Sequence, residues 1–149
     1  MHTEHLQNVS IGAVIGGWLV AIAVTSLMVF MFEASGFDTR GGTANSLATL
    51  VAGTAGFGAG GFFTGFRARR APVLHGIGIG LASIVVWVVV NLVATMAGLS
   101  YDPGLGTALT IGVVLVMIVA AAIGALVGYN LALRGKPGLS EEYPGNGVA

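Results

Sequence analysis

Arg67, Arg69, Arg70 and His75 fall together in "GFRARRAPVLHG", the densest group of chemically capable side chains in the sequence. Clustered guanidinium groups suit the phosphate of an anionic lipid or an acidic partner. A histidine in the first turn of the next helix would add a phosphate contact, a pH-sensing group or an acid/base. Each has a plainer reading. The arginines would only set membrane topology, and His75 would donate to a neighbouring carbonyl. Asn91 and Asn130 are the candidates for a polar lining. As packing residues each would instead bond across helices, a contribution of about 0.6 kcal/mol.

Beyond these the chemistry is thin. Glu33, Asp38 and Asp102 lie on separate connections, a weak pattern for a cation cage. His2 and His5 sit in a short leading segment. No HExxH, GxSxG or phosphate-loop pattern occurs. There is no Cys, so disulfides, thiolate metal sites and Cys nucleophiles are excluded. No catalytic residue, cofactor or metal is expected.

The elements that must hold these residues follow from composition. Of the 149 residues, 55% are hydrophobic and 8% charged, and the formal net charge is zero. Soluble domains carry about 25% charged residues, so the expected solvent is a bilayer. The neutral balance gives nucleic acid no reason to bind. Four apolar stretches are long enough to cross hydrocarbon: 9–32, 44–66, 72–97 and 105–133. The expected class is therefore all-α, a polytopic membrane protein with four transmembrane helices arranged as two hairpins. Residues 1–135 form this domain, and 136–149, rich in Pro, Gly and polar residues, read as a disordered tail. The first stretch lacks a basic leader and a small-residue cleavage site, so it reads as a permanent span.

Basic residues set the direction. Arg67, Arg69 and Arg70 lie between spans two and three, and Arg134 and Lys136 follow span four; only Arg40 lies on the other side. The positive-inside rule puts both termini in the cytoplasm of a cell with this protein in its inner membrane. No Asp, Glu, Lys or Arg lies in the central part of any span. Proton relays and coupled carriers use such groups, so a coupled carrier is disfavoured. Trp18 and Trp87 fall inside their spans and read as core residues, each indole N–H wanting an acceptor. Thr25, Ser26, Thr54 and Ser83 can bond to carbonyls of their own helix.

The 25 glycines carry the packing argument. Each costs roughly 1 kcal/mol relative to Ala in an exposed helix. In lipid, helices recover that cost by close backbone approach at small residues four apart. The pairs are Gly12/Gly16, Gly56/Gly60, Gly61/Gly65, Gly76/Gly80 and Gly124/Gly128, a glycine-zipper pattern. Span two has two such faces: Gly53, Gly56 and Gly60 on one, and Gly58, Gly61 and Gly65 roughly 140° away. It should be sandwiched between two neighbours, from its own chain or from a second subunit. A shift of 63 positions lays Gly17 on Gly80, Gly41 on Gly104, Gly61 on Gly124 and Gly65 on Gly128. A parallel internal repeat with its axis along the membrane normal would give these matches; the plainer reading is coincidence among so many glycines.

At "GAGGFFTGFRARRAPVLHG" the chain resembles the YrzE-type family, small four-span prokaryotic membrane proteins of unknown function. The resemblance rests on Gly60, Gly61, Gly65, Arg67, Arg69, Arg70, Leu74, His75 and Gly76. It implies four helices and a prokaryotic inner membrane, and supplies no activity.

The function expected is that of a non-enzymatic integral membrane protein. It self-associates, or serves as a small structural or accessory subunit of a membrane complex, through Gly-rich helix packing. Its partners would be membrane lipids and either further copies of itself or a larger membrane-protein complex. The alternative is a small channel or facilitator for a neutral or anionic solute. A lipid-acting enzyme would need His75 as its acid/base.

Overall fold

A computed structural model describes residues 9–37, 42–68, 71–99 and 107–134. Four helices account for nearly all of them: α1 (Ile11–Ala34), α2 (Gly42–Ala68), α3 (Pro72–Met96) and α4 (Thr107–Arg134). Each is long and apolar enough to cross a membrane, and the chain is a multi-pass membrane protein. The expected spans agree with these bounds to within two residues. Arg40, Gly41, Arg69, Arg70, Asp38, Asp102, Gly104, His2, His5, Lys136 and the tail 136–149 lie outside the described residues.

The helices stop where the sequence supplies left-handed backbone. Gly36 (φ +81°) follows α1 and Gly98 (φ +73°) follows α3. In each case two amides fold back onto carbonyls of the last turn: Gly36 to Glu33 and Phe37 to Phe32, then Gly98 to Thr95 and Leu99 to Ala94. This double bond pattern needs a positive φ after the helix, which glycine adopts without a Cβ penalty. Phe37 also packs against Phe32, with ring centroids 6.0 Å apart.

Helix α2 is the centre of the bundle. Within its apolar window 44% of residues are buried, against 11–17% in the other three. It lies between α1 and α4, and α3 packs against all three of the others. The α1 contact is antiparallel, with Gly17 beside Gly60, Ala21 beside Gly56 and Gly60, and Thr25 beside Gly56. A Cβ on Gly60 would come within 2.8 Å of the Ala21 Cβ. On the other side, a Cβ on Gly61 or Gly65 would collide with the backbone of Ala121 or Ala125 of α4. Both small faces of α2 are thus filled within one chain. Gly53 departs from the expected grouping: its neighbour is Met117 of α4, not α1.

The α2–α4 contact is reciprocal. Gly61 meets Ala121, and Gly124 meets Gly58; Gly65 meets Ala125, and Gly128 meets Phe62. A shift of 63 exchanges the members of each pair, since 58 becomes 121, 61 becomes 124, 62 becomes 125 and 65 becomes 128. Two parallel helices therefore meet across a local two-fold axis, as the repeat in the sequence implies. Helices α1 and α3 do not follow it. Gly76 of α3 rests on Ala121 and Ala122, and Gly80 on Ile118. The core joins Ala21, Phe57, Ile79 and Ala121, with Val14, Trp18 and Met117 against it.

On α1 the inward face is Ala13, Gly17 and Ala21. The expected pair does not pack: a Cβ on Gly12 would meet nothing within 4 Å, and one on Gly16 only Phe63 at 3.5 Å. This difference generates a prediction. Gly61→Leu should cost more than the ~1–3 kcal/mol typical of overpacking, because rigid backbone stands in the way. Gly12→Leu should be close to neutral. Thermal unfolding in detergent compares the two, and equal melting temperatures would contradict the packing.

Candidate functional site

Of the residues singled out for chemistry, Arg67 and His75 lie at the adjoining ends of α2 and α3. Arg67 is exposed in the last turn of α2. Pro72 occupies the first turn of α3, where its missing N–H leaves no bond unmade. Before it, Ala71 is fully buried in the left-handed region, φ 44° and ψ 53°. That conformation costs an L-residue roughly 1–2 kcal/mol. His75 holds the strained residue in place. Its backbone amide donates to the Ala71 carbonyl at 3.1 Å, and its ring Nδ1 lies 2.8 Å from the same oxygen.

The other ring nitrogen reaches a different helix. The Ser10 backbone N–H donates to His75 Nε2 at 3.0 Å. An amide can only donate, so Nε2 carries the lone pair and Nδ1 carries the proton given to Ala71. His75 is completely buried, and neither nitrogen is left over for a phosphate or a substrate proton. This agrees with the plainer expectation, a histidine donating to a neighbouring carbonyl, and not with the phosphate or acid/base role. The physical reason is that the tight turn points the side chain inward, under the start of α1.

Ser10 is the N-cap of α1, and its hydroxyl accepts from the Ala13 amide at 3.4 Å. In a capping box the third helical residue returns a side-chain acceptor to the N-cap amide. Ala13 holds that position and has no acceptor to offer. His75, 65 residues away, supplies it instead. A cap completed from another helix ties the start of α1 to the α2–α3 turn.

Further polar ties cross the interior. The Trp18 indole donates to Ser83 Oγ at 2.9 Å, and Ser83 donates to the Ile79 carbonyl. The fully buried Thr64 hydroxyl lies 2.8 Å from the Gly60 carbonyl and 3.3 Å from that of Ala13 on α1. Thr25 bonds to Ala21 and reaches toward Ala52 on α2. No buried side-chain polar atom among the described residues lacks a partner. No described group of His, Asp and Glu could hold a metal ion.

The asparagines are not brought together. Asn91 donates to the Trp87 carbonyl of its own helix near the far end of α3, and Asn130 is exposed near the arginine end of α4. Trp87 is itself 51% exposed, on the outside of the bundle rather than in its core. An open groove of about 490 Å³ runs between α2 and α4, on the side away from α3. Gly58, Ala59, Ala120 and Gly124 line it with small side chains, and Phe62, Ile123 and Val127 with large ones. A Cβ on Gly58 would meet only the Ala120 carbonyl, at 3.9 Å, so Gly58 has room that the other α2 glycines lack.

Sequence reading missed Ser10, Gly17 and Thr64. Ser10 stands immediately before an apolar run, the ordinary signature of an N-cap. Gly17 follows Ala13 and precedes Ala21 at intervals of four, a small-residue ladder parallel to the one chosen. Nothing local marks Thr64 as a bridge to α1.

Comparison with known protein families, characterised proteins and solved structures finds no match.

The cap makes a prediction. His75→Ala strands the Ser10 amide and removes one bond to the Ala71 carbonyl. It should destabilise the fold by roughly 1–3 kcal/mol. Hydrogen exchange should show the Ser10 amide losing protection, while amides around Thr25 stay unchanged.

Proposed function

We propose that the chain is a non-enzymatic integral membrane protein that acts by association, with itself or as a small accessory subunit of a membrane complex. The observation that carries this reading is the uneven packing of α3. Its buried residues end at Gly80, and from Leu81 to Met96 every residue is exposed or half-exposed. Val85 is 62% exposed and Leu92 60%. Apart from the Trp18–Ser83 bond on one side, these side chains are left uncovered around the helix, so a second helix can meet this half without displacing a contact already made.

The glycine faces of α2 do not serve that association, because α1 and α4 already fill them. Self-association would use the far half of α3 instead. A solute passage would have to lie between copies, since Ala21, Phe57, Ile79 and Ala121 fill the middle of one copy. The positive-inside arrangement supports cytoplasmic termini. The resemblance to the YrzE-type family agrees with a prokaryotic inner membrane.

Subunit counting by native mass spectrometry, on protein extracted in its own lipids, tests the reading. The expected particle holds several copies or a second polypeptide. Val85→Trp with Val89→Trp should reduce it to a single chain and leave the melting temperature within a few degrees. A wild-type particle of one chain with nothing bound, or solute flux through it in vesicles, would remove the proposal.

A further inference from the structure

The groove between α2 and α4 is the counterpart of a seat already occupied. Under the shift of 63 its residues fall on the opposite side of the α2–α4 pair, where α1 and α3 pack. Gly58 corresponds to Ala121, on which Gly76 of α3 rests. The large lining residues break the correspondence. Where the filled side has Ala125, Gly60 and Thr64, the open side has Phe62, Ile123 and Val127. Helix backbones approach closely only over small residues. Three bulky side chains narrow the open side below what a helix needs, and leave an apolar slot suited to a hydrocarbon chain.

A cation lies beyond one end of this slot, about two helical turns past its last lining residue, Val127. Ala120, Val127 and Arg134 recur at intervals of seven on α4, so all three lie on the groove face to within about 40°. Arg134 is exposed in the last turn. Glu33 is the only carboxylate among the described residues, and it lies at the opposite end of the bundle. From Ala120 to Arg134 the helix rises about 21 Å. Half of a bilayer with its headgroups measures about the same. The slot therefore lies in the hydrocarbon of one leaflet, with Arg134 at its phosphates. A guanidinium fork matches a phosphate with two parallel bonds.

We infer that this groove is a binding site for an anionic phospholipid, one acyl chain lying against Gly58 and Gly124 and the phosphate meeting Arg134. The site stands independently of the association proposed above. A zwitterionic lipid carries an ammonium that competes for its own phosphate, which is why the anionic class is favoured.

The test uses the full chain in nanodiscs of phosphatidylcholine with a minor share of phosphatidylglycerol. Native mass spectrometry reads the lipids retained on release. The wild type should retain phosphatidylglycerol in preference. Arg134→Gln should lower that preference about fivefold, the worth of one basic side chain at an anionic surface. Gly58→Leu should plug the slot and lose the retained lipid of either kind, with its melting temperature preserved. Identical retention in all three proteins overturns the site. So does a Gly58→Leu variant that changes subunit number and not lipid, which would put a second copy in the groove. Arg134 is exposed, so its variant decides the matter even if Gly58→Leu folds poorly.

Discussion

In hydrocarbon, an apolar side chain that leaves lipid for another apolar side chain gains almost nothing. A bundle of apolar helices must therefore be held by contact density and by the few polar bonds available. Here contact density is supplied by α2, whose glycines let two backbones approach it at once. Gly56 and Gly60 admit α1, and Gly61 and Gly65 admit α4. The intrinsic helix penalty of these residues is offset by dispersion between main chains that no larger side chain would permit. Because rigid backbone fills the space on both sides, the arrangement has little room to relax. That explains why burial is concentrated in the least apolar of the four spans.

The polar bonds do a different job. The ties of His75 to Ser10, Trp18 to Ser83 and Thr64 toward Ala13 all join α1 to a later element. They fix which face of α1 turns inward and at what depth. Each is neutral, so no charge is stranded in the hydrocarbon. His75 has the added task of holding a left-handed Ala71 at the start of α3. The first half of α3 rests against α4 through Gly76 and Gly80, whereas among the described residues the Trp18–Ser83 bond is the last side-chain tie from α3 to another helix. The exposure of α3 from Leu81 to Met96 goes with that difference.

Much of this was legible in the sequence. Apolar length gave the four helices, because a span is a property of the stretch itself. The two faces of α2 were legible because glycine spacing on one helix is a local pattern. Which glycine pair of α1 faces inward was not. Gly12/Gly16 and Ala13/Gly17 are both small ladders, and only the partner helix decides between them. The tie of His75 to Ser10 was not legible for a related reason. Its acceptor role depends on an amide 65 residues away, and proximity to three arginines in sequence says nothing about which way a tight turn aims the ring. Gly53 sits between the two faces of α2, so a difference of a few tens of degrees decides whether it meets α1 or α4.

The reciprocal α2–α4 contact gives the deepest constraint on how such a molecule works. A pair of hairpins wholly related by this two-fold would present two equivalent outer faces. This one keeps the symmetric seam, Gly61 on Ala121 and Gly124 on Gly58, and abandons symmetry on either side of it. On one side small residues admit helix, and on the other Phe62, Ile123 and Val127 do not. The divergence lies in side-chain volume at three positions, not in backbone geometry, because the seam between the helices is unchanged. One side of this symmetric pair of helices is covered by other helices of the chain, and the other is an open apolar groove. Arg134 falls in register with the second side, so the two sides differ in charge as well as in side-chain volume.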